Sequence, residues 1–309
     1  MSLAVVVSSL GRCPLRCMGD VGQSDWPHRL MVRTCVFCGE TPLTREQVFP
    51  KWLRDILPHQ ERWRGQGVAV LDGRLIDERE LPVATREMGQ GFTDTIVARV
   101  CASCNGGWMS ALEREVKPLL SALVRGERLA IDGGAAASLA LWVAKTTAMA
   151  ELTHPESAAL SADDVRGLMK ARLPPSYLNI WMVPSGGGPD WALRWQHFAV
   201  LWGDPLTTDP EEQPNTFSTT IGLNRVAFCV MGTRNPILPL PDLDGIPPLH
   251  SARIWPQSRS LHFARERNLS DRELWVLSDL LHLWLSDDDE AFESSLVELA
   301  LRAGTPGLG

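Results

Sequence analysis

Cys101-Ala-Ser-Cys104-Asn105-Gly-Gly-Trp108 is the stretch on which the fold turns, and Cys35-Val-Phe-Cys38-Gly39 is its partner upstream. Each is a C-x-x-C pair, and 62 residues separate them. Paired thiolates at this spacing read as metal ligands before disulfides in a chain too long to need staples. Four of them make a closed tetrahedral site for Zn²⁺, a soft-ligand set with no open position, so the metal is structural. The separation exceeds that of a compact finger, and context sharpens the reading. The first pair sits on a knuckle with Gly39 at the tight turn, and the second opens a helix. That arrangement is a treble clef.

From Cys101 onward, Trp108, Leu112, Val116, Leu119, Leu120 and Leu123 recur every three or four residues, the period of a helix. Pro118 is expected to end or kink it. Between the pairs, Lys51 to Leu57 is amphipathic and Pro58 stops it. Residues 60–100 carry short β-like runs, Val68 to Leu71 and Thr95 to Val100, that read as an inserted hairpin. Gly133-Gly134 marks a break and the expected domain boundary. Beyond it the pattern predicts a helix over Ala135–Leu152 and a second from an N-cap at Ser161 to about Arg172. Strands follow over Leu178–Val183, Trp191–Trp202, Thr216–Leu223 and Val226–Met231, and then a Pro-rich stretch from Pro236 to Pro248. Ser270 and Glu273 have capping-box spacing for a helix through Leu285, and Ala291–Ala303 predicts another. The expected fold class is α+β: a zinc-stabilised treble-clef module, then an α+β C-terminal domain with antiparallel strands. The expected divisions are a disordered extension over 1–30, the zinc module over 31–132 and the second domain over 133–309.

The chain has 309 residues, 44% hydrophobic and 22% charged, which is ordinary globular usage. No apolar run reaches the ~18 residues of a membrane span, and the N-terminus lacks the basic region of a secretory signal. The expectation is a cytoplasmic protein with no membrane partner. The net charge of −7 and the pI near 5.5 argue against a bulk nucleic-acid coat. The charge is uneven, however. Residues 1–130 balance at +2 and residues 131–309 at −9. The acidity therefore belongs to the C-terminal part.

Polar residues flank the thiolates in a telling order. Glu46 follows the knuckle by eight residues, Asn105 follows the last thiolate directly, and Glu113 lies two helical turns further on the same face. Carboxylates and a carboxamide held together by a rigid zinc core make a hard oxygen site for Mg²⁺ or Mn²⁺.

Cys35-x-x-Cys38-Gly, Leu43-Thr-Arg-Glu46-Gln47-Val48-Phe49-Pro50 and Cys101-x-x-Cys104-Asn105-Gly-Gly-Trp108 together resemble the HNH endonuclease family, of the ββα-metal (His-Me finger) type with four cysteines. The resemblance covers residues 33–125. It implies a metal-dependent endonuclease that hydrolyses phosphodiester bonds in DNA. Cys35, Cys38, Cys101 and Cys104 match the family's structural zinc ligands. Glu46 matches its acidic ligand for the catalytic ion and Asn105 the asparagine that completes that site. Glu113 falls near the family's last, more variable ligand position.

One position departs. Gln47 stands where the family has its general-base histidine. An imidazole titrates near neutral pH and takes a proton from attacking water; a glutamine amide only orients that water. Activity is therefore expected to be weak or absent. The alternatives are a catalytically degenerate zinc-structured DNA-binding or interaction module, and a protein whose zinc is merely a staple. Arg45, Lys51, Arg54, Arg62 and Arg64, with Trp52 and Trp63 among them, are the candidate DNA contacts. Trp52 and Trp108 read chiefly as core. Cys13, Cys17 and Cys229 are bystanders, His59 is read as a surface histidine, and the acidic run Asp287–Glu290 as a solvated cluster.

Overall fold

The computed structural model describes residues 33–58, 64–70, 95–153, 155–201, 213–245, 249–256, 261–263, 267–285 and 294. The expected extension over 1–30, the helix over 291–303, the acidic run 287–290, Cys13, Cys17, His59, Arg62 and Trp63 lie outside these residues.

The knuckle closes as its sequence requires. The Gly39 N–H donates to the Cys35 carbonyl at 2.8 Å, and Gly39 takes φ +83°, a conformation open to glycine at little cost. Strand β1 (Leu43–Gln47) then pairs antiparallel with β3 (Ile96–Cys101), placing Leu43 opposite Cys101 and Gln47 opposite Ile96. A short helical turn, α1 (Ala102–Cys104), and a turn kinked at Gly107, Asn105–Met109, lead into α2 (Ser110–Arg125). Strand, strand and helix in this order wrap the four cysteines.

Pro118 does not end α2, which runs on to Arg125. Pro118 is exposed, so the carbonyl that loses its helical partner can turn to water. The turns beyond it stay helical because Leu120, Leu123 and Val124 are fully buried. The helix stops instead at Gly126, whose N–H reaches Ala122 and Leu123 carbonyls at 3.0 Å each with φ +89°.

The expected hairpin over 60–100 is not formed among the described residues. Strand β2 (Arg64–Val70) pairs parallel with β6 (Arg194–Val200) in the larger sheet, while β3 goes to β1. Local alternation marks a strand but not its partner, and the knuckle had already brought β1 alongside β3.

Gly133 and Gly134 begin a helix rather than break the chain. The Asp132 carboxylate accepts from Ala135 N at 2.8 Å and caps α3 (Gly133–Glu151). From Leu139 to Glu151 every residue of α3 is buried, so it is the central helix of the molecule. After β4 (Leu129–Ile131) and α3 come α4 (Ala162–Ala171), opened by a Ser161–Asp164 capping box, and the large sheet. Its order is β2-β6-β7-β8-β5-β9, with β5 (Leu178–Pro184), β7 (Thr216–Leu223), β8 (Val226–Thr233) and β9 (Ala252–Trp255) antiparallel to their neighbours. Strand β10 (Leu261–Phe263) pairs with β4.

Side-chain alternation divides the sheet between two apolar cores. Ile180, Met182, Phe228 and Val230 face the core that also holds α3, where Trp142 meets Phe228 edge-on at 6.4 Å. Trp181, Val183, Cys229 and Met231 face a second core with Leu274, Leu277 and Leu280 of α5 (Asp271–Leu285). The Ser270–Glu273 capping box is present: the Glu273 carboxylate accepts from Ser270 N at 2.8 Å and from its hydroxyl at 2.7 Å. The architecture is α+β, as expected, with helices on both faces of a mostly antiparallel sheet. No helix among the described residues is long and apolar enough to cross a membrane.

The α3-side core is continuous with the knuckle. Phe37, Val48, Phe49, Trp108 and Leu112 belong to the same apolar cluster as Trp142 and Trp195. Trp108 packs edge-on against Phe37 at 5.0 Å and carries the Arg172 guanidinium 4.9 Å over its ring. Trp108 is therefore core, as its residue type implies.

Candidate functional site

Cys35, Cys38, Cys101 and Cys104 are brought together, with all four sulfurs within 4.8 Å of one another. Tetrahedral coordination at about 2.3 Å per Zn–S bond needs sulfurs roughly 3.8 Å apart, and Cys38 and Cys101 stand at 3.5 Å. The donor set and spacing suit a soft metal ion. The backbone favours thiolate here. Cys104 N donates to Cys101 Sγ at 3.4 Å. Burial pushes the Cys35 thiol up, but backbone hydrogen bonds from Cys101, Cys38 and Phe37 outweigh it and bring its pKa down to about 7. Cys104 moves the other way, through burial and the crowding of three more thiols. Four thiols in one place resist joint ionisation until a cation joins them.

The carboxylates lie on the other side of the same turn. Glu46 and Gln47 from β1, Asn105 from the kinked turn and Glu113 from the first turn of α2 line one open cleft of about 540 Å³. Arg45 and Lys51 stand at its rim, and Trp52 forms part of its wall. Trp52 is thus half-buried rather than fully core, with Lys117 Nζ 5.3 Å from its ring centroid. The Arg54 side chain is exposed; Arg64 sits in β2, which pairs with β6.

Two contacts fix the amide of Asn105. Its Nδ2 donates to Thr44 Oγ1 at 3.3 Å, and Thr44 in turn donates to the Val100 carbonyl at 3.0 Å. Asn105 also hydrogen-bonds Glu46. Burial raises the Glu46 carboxyl to about 7, the nearby Lys145 ammonium opposes that rise, and the Glu113 carboxylate adds to it. Two carboxyl groups and a carboxamide in one cleft form a set of hard oxygen donors. That set fits Mg²⁺ or Mn²⁺.

Sequence reading missed Lys145. Its ammonium is fully buried and donates to Glu113 Oε1 at 3.0 Å, with the Trp142 ring centroid 6.0 Å away. The signal was present: Lys145 is the only charged residue between Gly133 and Ala150. Nothing in the sequence told which carboxylate it would meet, because the pairing spans two helices. Thr44 was missed for a similar reason, as its role depends on strand register.

Other titratable groups are accounted for by the fold. Cys229 is fully buried, its thiol pushed up to about 12 by burial. The Tyr177 hydroxyl donates to Asp164 at 2.7 Å, and burial raises its pKa well beyond the phenol range. Neither faces the cleft.

Compared with protein-family models, curated protein sequences and solved structures, the chain matches none.

Proposed function

We propose that residues 33–125 form a zinc-structured nuclease site of HNH type that acts on phosphodiester bonds in DNA. The observation that carries the reading is the convergence of Glu46, Gln47, Asn105 and Glu113 on one open cleft beside the four thiols. Cys35, Cys38, Cys101 and Cys104 would hold Zn²⁺ as a structural ion. Glu46, Asn105 and Glu113 would hold Mg²⁺ or Mn²⁺, which supplies positive charge against the scissile phosphate as its charge develops. Arg45 and Lys51 at the rim bind flanking phosphates. Gln47 orients the attacking water by a hydrogen bond and takes no proton from it, so the reaction runs without general-base assistance. That absence costs on the order of 10²–10⁴-fold.

The same residue favours a second reading, a degenerate site that binds DNA without cutting it. A plasmid-nicking assay with Mg²⁺ or Mn²⁺ separates the two. The nuclease reading expects weak nicking by the parent chain, a large gain in Gln47→His and none in Asn105→Ala. Salt-dependent DNA binding with no nicking by either the parent or Gln47→His establishes the degenerate reading instead.

A further inference from the structure

The cleft has a buried cation behind it that the HNH reading does not require. Lys145 comes from the middle of α3, while every cleft-lining ligand comes from residues 46–113. Its side chain has no exposure, and an ammonium is removed from water only at high cost unless a charge meets it. The carboxylate that pairs with it is Glu113, which is 21% exposed and lines the cleft, and the ammonium's charge also acts on Glu46. Glu113 thus has one oxygen, Oε1, fixed from behind at 3.0 Å, while its carboxylate fronts the opening. A carboxylate tethered by an outer partner is how metal sites orient their ligands.

We infer that Lys145 is a positioning residue of the divalent-ion site, holding Glu113 as a ligand in the cleft. The inference rests on the nuclease reading of that cleft. It also makes α3 part of the site, so the helix beyond the Gly133-Gly134 turn supports the metal centre rather than serving only the sheet. Two features explain why lysine suits the position. Its side chain is fully buried, with the Trp142 ring centroid 6.0 Å from the ammonium. Its single point charge reaches Glu113 at 3.0 Å, and Lys145 is not among the residues that line the cleft.

The test is a Mn²⁺ titration of the full, zinc-loaded chain, followed by the EPR signal of free Mn²⁺. Four proteins are compared: the parent, Lys145→Met, Glu113→Gln and the double variant. Lys145→Met is expected to weaken Mn²⁺ binding about 10–100-fold. Glu113→Gln is expected to weaken it as much, and the double variant no more than Glu113→Gln alone. Parent-like Mn²⁺ affinity in Lys145→Met overturns the inference, as does an equal further loss in the Glu113→Gln background, which marks general damage. Absence of Mn²⁺ binding by the parent overturns the nuclease reading itself, and this inference with it. A measurement on the intact lysine guards against a Lys145→Met chain that does not fold. The Lys145 ammonium ¹⁵N resonance is expected to shift on Mg²⁺ addition to the parent and to stay put in Glu113→Gln. No shift in the parent, at Mg²⁺ levels that perturb Asn105, overturns the inference.

Discussion

The four thiols and the carboxylate cleft share one turn of backbone yet are opposite kinds of site. The thiols are closed: three are buried, their sulfurs converge on one another, and Cys104 Sγ also meets the Met169 sulfur at 3.7 Å. The cleft is open, its donors are hard oxygens, and a lysine stands behind one of its carboxylates. Cys104 and Asn105 are adjacent, yet the first side chain joins the thiols and the next lines the cleft. The difference teaches where structure ends and chemistry begins. The closed side fixes the turn, and the open side inherits its geometry from that.

The largest expected effect tests this dependence. Chelation of zinc, or Cys104→Ser, should unfold residues 33–125, since structural zinc contributes on the order of 10 kcal/mol in small domains. Loss of the near-ultraviolet circular dichroism of Trp52 and Trp108, together with loss of Mn²⁺ binding, is the expected result. An intact cleft after chelation breaks the comparison, because the two sides would then be independent. Gln47→His comes next. On the proposed nuclease reading, supplying the base should raise nicking about 10²–10⁴-fold, measured on supercoiled plasmid at pH 8. A smaller change shows that the position does not face the attacking water.

The thiol side was legible in the sequence and the cleft only in part. C-x-x-C pairs declare their geometry because both ligands lie within one turn, and Gly39 marks that turn. Glu46, Asn105 and Glu113 were marked by their spacing from the thiolates and by a family resemblance, and they line one cleft. Lys145 was not legible, because a charge buried in an apolar helix names no partner until two helices pack. The parallel pairing of β2 with β6 was lost in the same way, as long-range register leaves no local trace. Pro118 was misread because its cost depends on exposure. Capping at Ser161 and Ser270 was plain, since those hydrogen bonds span three residues.

The smallest expected effects compare two carboxyls that burial raises alike. Glu46 sits in the cleft at about 7, and Glu151 lies in the interior at about 8, raised by burial and only partly offset by the N–H groups of Leu160 and Ala159. Both carboxyls start near 4.5 in the unfolded chain. Above that pH the folded chain keeps protons the unfolded chain has lost, so stability falls as pH rises, through about 7 for one and about 8 for the other. For Glu151, 3% exposed beside the fully buried His197, the loss is on the order of 3–5 kcal/mol, and Glu151→Gln should flatten the melting curve's dependence on pH between 5 and 8. Glu46 differs because its cleft is open. A divalent ion at about a hundred times its dissociation constant should restore roughly 2–3 kcal/mol above pH 7 and little at pH 5, where the proton competes. Glu46→Gln should lose that Mg²⁺ response, whereas Glu151→Gln should keep it. If Mg²⁺ raises the melting temperature equally in both variants, the ion binds elsewhere, and the cleft is no more a cation site than the interior carboxyl is.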